Sequence, residues 1–176
     1  VVMVVDIELA LAEATVGLIE KAGGVASAFA ADITREADCA AIAATCITRY
    51  GRIDILHNNV GRSRGDRPTT EMDADMWDEI MAMNLKGMFM TCKHVLPEMR
   101  RQKSGAIVNI GSLAGRAPLQ GAATYSSTKA GLRAFTYALA DELKEANIHV
   151  GVVSPGPVDT GFIMDGIDQV EDIVFS

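Results

Sequence analysis

Residues 1–32 read VVMVVDIELALAEATVGLIEKAGGVASAFAAD, and this stretch decides the fold. Val1-Val2-Met3-Val4-Val5 is a continuous apolar run closed by Asp6. A segment rich in Ala, Leu and Glu follows, predicting a helix from about Glu8 to Lys21. Gly23-Gly24 then stand where a helix C-terminus favours left-handed backbone. Val25–Ala31 returns as a second apolar strand, closed by Asp32. Near-continuous apolar strands joined by a helix, with no hairpin signal between them, predict a parallel sheet covered on both faces. Each crossover is expected to be right-handed.

The same alternation runs outward to the end of the chain. Thr34 is placed to N-cap a helix reaching Tyr50, which Gly51 ends. Ile53–His57 reads as a strand running into Asn58-Asn59-Val60-Gly61. A loop carrying Arg62, Arg64, Arg67 and Pro68 leads to a long helix, roughly Ala74 to Arg100. Ala106–Ile110 is a strand, a loop through Gly121 precedes a helix to about Ala146, and Ile148–Val153 is a strand broken by Pro155-Gly156-Pro157. Five strands and four helices make an α/β chain with a doubly wound parallel sheet. No repeat, linker or low-complexity stretch divides it, so residues 1–176 are expected to form a single domain.

Composition excludes several classes. The 176 residues are 49% hydrophobic and 22% charged with 5 prolines, enough for a buried core and unlike a disordered chain. No apolar run approaches the roughly 20 residues of a membrane span. The net charge of -7 argues against a nucleic-acid partner. Cys39, Cys46 and Cys92 are odd in number and form no CxxC, which fits a reduced, cytoplasmic setting. His57, His94 and His149 lack ligand spacing, so no metal site is expected. Seven of the nine methionines fall between Met72 and Met99, which reads as a helix buried on more than one side.

In open parallel sheets, ligands bind at the carboxyl ends of the strands. Asp6, Asp32, Asn58, Ser112 and the turn from Ser154 to Thr160 all fall there. Tyr125 and Lys129 are four residues apart and share a helix face. A phenol titrates near pH 10, too high for acid–base work, and a neighbouring cation favours phenolate. Ser112 could offer a hydroxyl to a carbonyl oxygen from the opposite side. The three arginines at positions 62, 64 and 67 read as a solvated loop face rather than an anion site.

Ser112, Tyr125 and Lys129, with Asn58-Asn59-Val60-Gly61, Asn84 and Pro155-Gly156-Pro157-Val158-Asp159-Thr160, resemble the short-chain dehydrogenase/reductase family in its classical branch. The resemblance covers essentially the whole chain and implies a Rossmann-like fold and an NAD(P)-dependent oxidoreductase. It would interconvert a secondary alcohol and a ketone, using a small-molecule substrate and no membrane. By this resemblance Tyr125 is the acid/base, Lys129 lowers its pKa and binds the nicotinamide ribose, and Ser112 orients the carbonyl. Asn84 offers its backbone carbonyl to a water linking Lys129 to solvent. Asp32, with Ile33 beside it, lies at the adenine, and Asn58 near the adenosine ribose. Pro155, Gly156, Val158 and Thr160 belong to the turn at the carboxamide and phosphate. Asp6 would take the ribose hydroxyls and repel a 2′-phosphate, favouring NAD over NADP. A plain N-cap role for Asp6 on the following helix can coexist with that one. Leu113, Ala114, Leu119 and Ala122 around Ser112 and Tyr125 hint at a neutral, partly hydrophobic carbonyl substrate. The helices near 73–100 and 124–145 are implied to build a homodimer or homotetramer.

One element of the family pattern is absent: no Thr-Gly-x-x-x-Gly-x-Gly occurs in these 176 residues. The chain therefore reads as a piece starting at the family's second strand and stopping before its last helix and strand. The alternative function is a catalytically inactive fragment retaining dimerisation alone. A gap is expected between the strands ending at Asp6 and Asn58. A polypeptide of only these residues is expected to aggregate through the exposed edges and to bind no NAD.

Overall fold

A computed structural model describes residues 1–158 of the chain. Its strands are β1 (Val2–Asp6), β2 (Ala26–Ala30), β3 (Ile55–Asn58), β4 (Gly105–Ile110) and β5 (Ile148–Val153). The helices are α1 (Leu9–Lys21), α2 (Glu36–Tyr50), α3 (Ala74–Met81), α4 (Gly87–Gln102) and α5 (Ala123–Leu143). All strand pairs are parallel, as the apolar runs and helical crossovers require.

Local chemistry explains most boundaries. α1 ends in a Schellman turn: Gly24 N–H donates to the Ile19 carbonyl and Gly23 N–H to that of Glu20, with Gly23 at φ +82°. Gly51, at φ +77°, ends α2 as expected. Thr34 does not cap α2, which starts two residues later. Its N–H and hydroxyl both donate to Asp32 Oδ1, at 2.9 and 2.7 Å, in a local Asx turn. The expected single helix from 74 to 100 is two helices joined by a π-turn over Ala82–Lys86. Asp73 caps its start, accepting from the N–H groups of Asp75 and Met76.

The strands form two sheets, β1-β2 and β3-β4-β5. This division falls between the strands ending at Asp6 and Asn58, where the sequence leads one to expect a gap. One helical layer serves both sheets. Met3, Val5 and Phe29 of the smaller sheet pack on Ile42, Met88 and Leu132, from α2, α4 and α5. Ile107 and Ile148 of the larger sheet pack on Ala43, Val95 and Leu139 of the same three helices. Among the described residues the helices that pack on β3-β4-β5 lie on one of its faces. Ile107 is 1% exposed beneath the helices, whereas Ile55 at 67% and Val153 at 53% leave the opposite face open among the described residues. A strand's apolar content cannot say which neighbour supplies its cover.

Candidate active site

The carboxyl end of β4 delivers Gly111 and Ser112. Gly111 N–H donates to the Val153 carbonyl at 2.7 Å, and Leu113 N–H to that of Pro155 at 2.9 Å, so the β4 and β5 exits are tied together. Ser112 is extended and caps a single 3₁₀ turn, its Oγ accepting from Ala114 N–H at 3.1 Å. The same hydroxyl acts on the Tyr125 phenol, favouring its ionised form. Tyr125, the third residue of α5, is 8% exposed. One turn on, Lys129 is 4% exposed; its Nζ donates to the Ile110 carbonyl at 2.8 Å. That ammonium stands 5.6 Å from the centroid of the Tyr125 ring. Gly115 lets α5 come this close: a Cβ there would lie 2.7 Å from the Lys129 carbonyl carbon.

Burial governs both titrating groups. Loss of water pushes the Tyr125 phenol above its usual range, and the Ser112 hydroxyl opposes that shift. Burial pushes Lys129 down to about 8. The expected lowering of the phenol by Lys129 is therefore not the governing effect in the protein alone. The ammonium lies over the ring face and is held by the Ile110 carbonyl, and both groups have lost the water that stabilises their charged forms.

Asn84, fully buried in the π-turn, fixes the loop that faces this set. Its Oδ1 accepts from Arg62 N–H at 2.7 Å, while Nδ2 donates to the Arg62 carbonyl at 2.8 Å and to Thr128 Oγ1 at 3.2 Å. The side chain is thus a clamp between the loop and α5, a role that sequence reasoning did not assign. Arg62 itself is paired with Glu79 at 2.8 Å, in keeping with a loop-face reading.

The expected cofactor residues divide. Asp6 Oδ1 accepts from Glu8 N–H at 3.0 Å, leaving Oδ2 without a protein partner among the described residues. Asp32 keeps Oδ2 in the same way, with Oδ1 held by Thr34. Asn58 and Ile33 are both buried. The Asn58 side chain is 5% exposed and turned inward, with Nδ2 donating to Asn109 Oδ1 at 2.9 Å and Oδ1 accepting from Thr91 Oγ1 at 2.8 Å. Ile33, 8% exposed, packs so closely on Gly87 that a Cβ there would lie 2.8 Å from its Cδ1. Pro155 and Gly156 lie beside Leu113 at the β4 exit; Val158 is 52% exposed. Thr160 lies outside the described residues.

Three further residues support the site, and of these only Asn109 carries a local signal in sequence. Asp66 Oδ2 accepts from the Tyr125 N–H at 2.7 Å across 59 residues. Asn109 Nδ2 donates to Thr136 Oγ1 at 2.9 Å, and Thr128 Oγ1 to the Tyr125 carbonyl at 2.7 Å. A polar residue inside an apolar strand, as Asn109 is, was the one readable hint. A concavity of about 650 Å³ runs along α1 and β2 and shares no residue with the Ser112, Tyr125 and Lys129 set. Its residues carry no comparable cluster of chemistry, so the site is defined by its side chains. No group of His, Cys, Asp or Glu among the described residues could hold a metal. Cys39, Cys46 and Cys92 are free thiols, and burial raises the pKa of each.

A parallel α/β sheet with a hydroxyl, a phenol and a buried ammonium at its carboxyl edge defines the class: an α/β protein of the doubly wound type. The chain belongs to the short-chain dehydrogenase family, whose model matches residues 1–170. It is 36% identical over 161 residues to 3-oxoacyl-[acyl-carrier-protein] reductase FabG of Staphylococcus aureus, an alignment covering 92% of this chain and 63% of that protein. The corresponding reductase of Synechocystis is 37% identical over 149 residues, covering 85% of this chain and 60% of its own length. Among solved structures, NAD+-bound xylitol dehydrogenase superposes with TM-score 0.85 at 29% identity, covering 92% of this chain and 62% of that one. A metagenomic short-chain oxidoreductase in complex with NADP superposes at 0.82 with 33% identity, covering 89% and 71%. The chain spans between 57% and 63% of the first curated relatives. No helix among the described residues is long and apolar enough to cross a membrane.

Proposed function

We propose that the protein containing this chain is a nicotinamide-dependent oxidoreductase that interconverts a secondary alcohol and a ketone. The observation that carries the reading is the buried Tyr125 phenol, whose titration the Ser112 hydroxyl influences, with the buried Lys129 ammonium one helical turn away and 5.6 Å from the phenol ring centroid. The nicotinamide supplies or accepts the hydride when bound. Lys129, with one hydrogen bond to Ile110 and two further donors on its Nζ, suits a ribose diol. Gly61 leaves room there, since a Cβ would stand 3.5 Å from that Nζ.

In the reducing direction, Ser112 donates a hydrogen bond to the carbonyl oxygen and holds it beside Tyr125. The phenol transfers its proton to that oxygen as hydride reaches the carbonyl carbon, giving the alcohol and a phenolate. Lys129 stabilises the phenolate, which solvent reprotonates. Oxidation runs the same proton path in reverse. Leu113 and Leu119, 48% and 57% exposed beside the set, favour a neutral substrate with apolar flanks.

Among the dinucleotides, Asp6 favours NAD, because a carboxylate that accepts ribose hydroxyls also repels a 2′-phosphate. The similarities by themselves favour neither form, one neighbour holding NADP and another NAD+. Phe89 on α4 and Tyr137 on α5, 45% and 53% exposed, support self-association through these two helices. The test is NAD(P)H-dependent reduction of a panel of ketones by the complete protein. Tyr125→Phe is expected to lower kcat at least about 1,000-fold with cofactor Kd changed less than threefold. Activity retained within about tenfold would remove Tyr125 from the proton-transfer role.

A further inference from the structure

The catalytic helix begins without a cap of its own. Ala122 occupies the N-cap position, has no side chain to accept a hydrogen bond, and leaves the first-turn N–H groups of α5 in need of partners. One of them, the N–H of Tyr125 itself, donates to Asp66 Oδ2 at 2.7 Å, from a loop 59 residues earlier. The other carboxylate oxygen, Oδ1, accepts from Arg67 N–H at 3.0 Å, and Asp66 N–H donates to the Ser63 carbonyl at 3.1 Å. The turn is shaped for this. Gly65 sits at φ +93°, and a Cβ there would lie 2.6 Å from Met76 Sδ, so both backbone and space exclude a side chain.

The near end of the same loop is fastened to the same helix by other means. Asn84 grips both backbone groups of Arg62 and bonds to Thr128. Tyr125 and Lys129 are therefore bracketed: Asp66 holds the backbone at position 125, and Asn84 reaches position 128. A carboxylate on first-turn N–H groups is also favoured by the helix dipole.

Resting on the oxidoreductase reading above, we propose that Asp66 is a positioning residue for the reaction. It sets the seat of the Tyr125 ring against Ser112 by gripping the backbone N–H of the acid/base residue. Helix capping alone would affect stability; a grip at Tyr125 affects how its phenol meets the substrate oxygen. Misplacing a reacting group by about 1 Å can cost roughly 100-fold in rate.

The experiment compares Asp66→Ala and Asp66→Asn in the complete protein, below both melting temperatures. It reads kcat, KM for the ketone, cofactor Kd and the pH profile of kcat. Asp66→Ala is expected to lower kcat about 10- to 100-fold and to shift the phenol limb of the profile, with cofactor Kd within twofold. Asp66→Asn keeps an acceptor oxygen and is expected to recover kcat to within about threefold of wild type. An Ala variant with unaltered kcat and profile, whatever its melting temperature, would overturn the proposal. So would an Asn variant as slow as Ala. Should Asp66→Ala fail to fold, the double variant with Ala122→Ser restores a local cap, and its kcat is expected to stay low; full recovery would reduce Asp66 to a helix cap. If wild type itself transfers no hydride, that failure belongs to the functional reading. Spectrophotometric titration of Tyr125 then decides the inference alone: a changed phenol pKa in Asp66→Ala sustains it, and an unchanged one ends it.

Discussion

Between β3, β4 and β5 and the helices behind them, buried polar side chains bond to one another over long sequence distances. Thr91 bonds to Asn58, Asn58 to Asn109, Asn109 to Thr136, and Asn84 to Thr128. At the ends of β1 and β2, the carboxylates bond only to backbone and side chains within six residues: Asp6 to Glu8, Asp32 to Thr34, Asp38 to Asp32. The first arrangement holds Ser112, Tyr125 and Lys129 in one geometry, because moving any member would strand a buried polar partner. The second leaves a carboxylate oxygen accessible and unspent at each strand end. Proton transfer needs fixed distances; recognition of a ribose or a base needs an acceptor that can exchange water for ligand.

The largest effect that sharpens this contrast is the pH dependence of stability at Lys129. Its folded pKa of about 8 lies below the ordinary 10.5, so the folded state binds fewer protons than the unfolded one between those values. Stability therefore rises with pH across that window. Lys129→Met has no such group, and its stability relative to wild type is expected to fall by about 3 kcal/mol from pH 7 to pH 10.5. Urea unfolding of both proteins at matched pH measures this. Parallel curves would mean that the ammonium is better solvated than its 4% exposure implies.

A slightly smaller effect is expected at the hub of the buried network. Asn58→Ala strands Asn109 Oδ1 and the Thr91 hydroxyl, at a cost of about 2–3 kcal/mol. Cofactor Kd should change less than twofold, because the removed side chain faces the helices. A large loss of cofactor affinity at unchanged stability would instead return Asn58 to the binding edge.

The smallest effect tests the open half. Asp6→Ala is expected to weaken NAD about tenfold and to improve NADP, with kcat at saturating cofactor little changed. Titration of the complete protein with both dinucleotides reads it. An unchanged preference would leave Asp6 with only the turn into α1.

Residue order alone determined the five strands, the ends of α1 at Gly23 and of α2 at Gly51, the place of Ser112 at the carboxyl edge of the sheet, and the shared helix face of Tyr125 and Lys129; the family resemblance implied that the three meet. These follow from rules that act within a few residues: period, left-handed glycine, and parallel strands that all present carboxyl ends together. Tertiary structure decided what those rules cannot reach. The inward turn of Asn58 depends on Asn109 51 residues away, and the grip on Tyr125 depends on Asp66 at a separation of 59. The burial of Ile33 depends on the missing Cβ of Gly87, and the open sheet face at Ile55 on which neighbours lie above it. The direction of the Tyr125 shift belongs here too, since desolvation is a property of the assembled site. A side chain's partner is chosen by the packed whole, and chain-local signals carry only its element and its face.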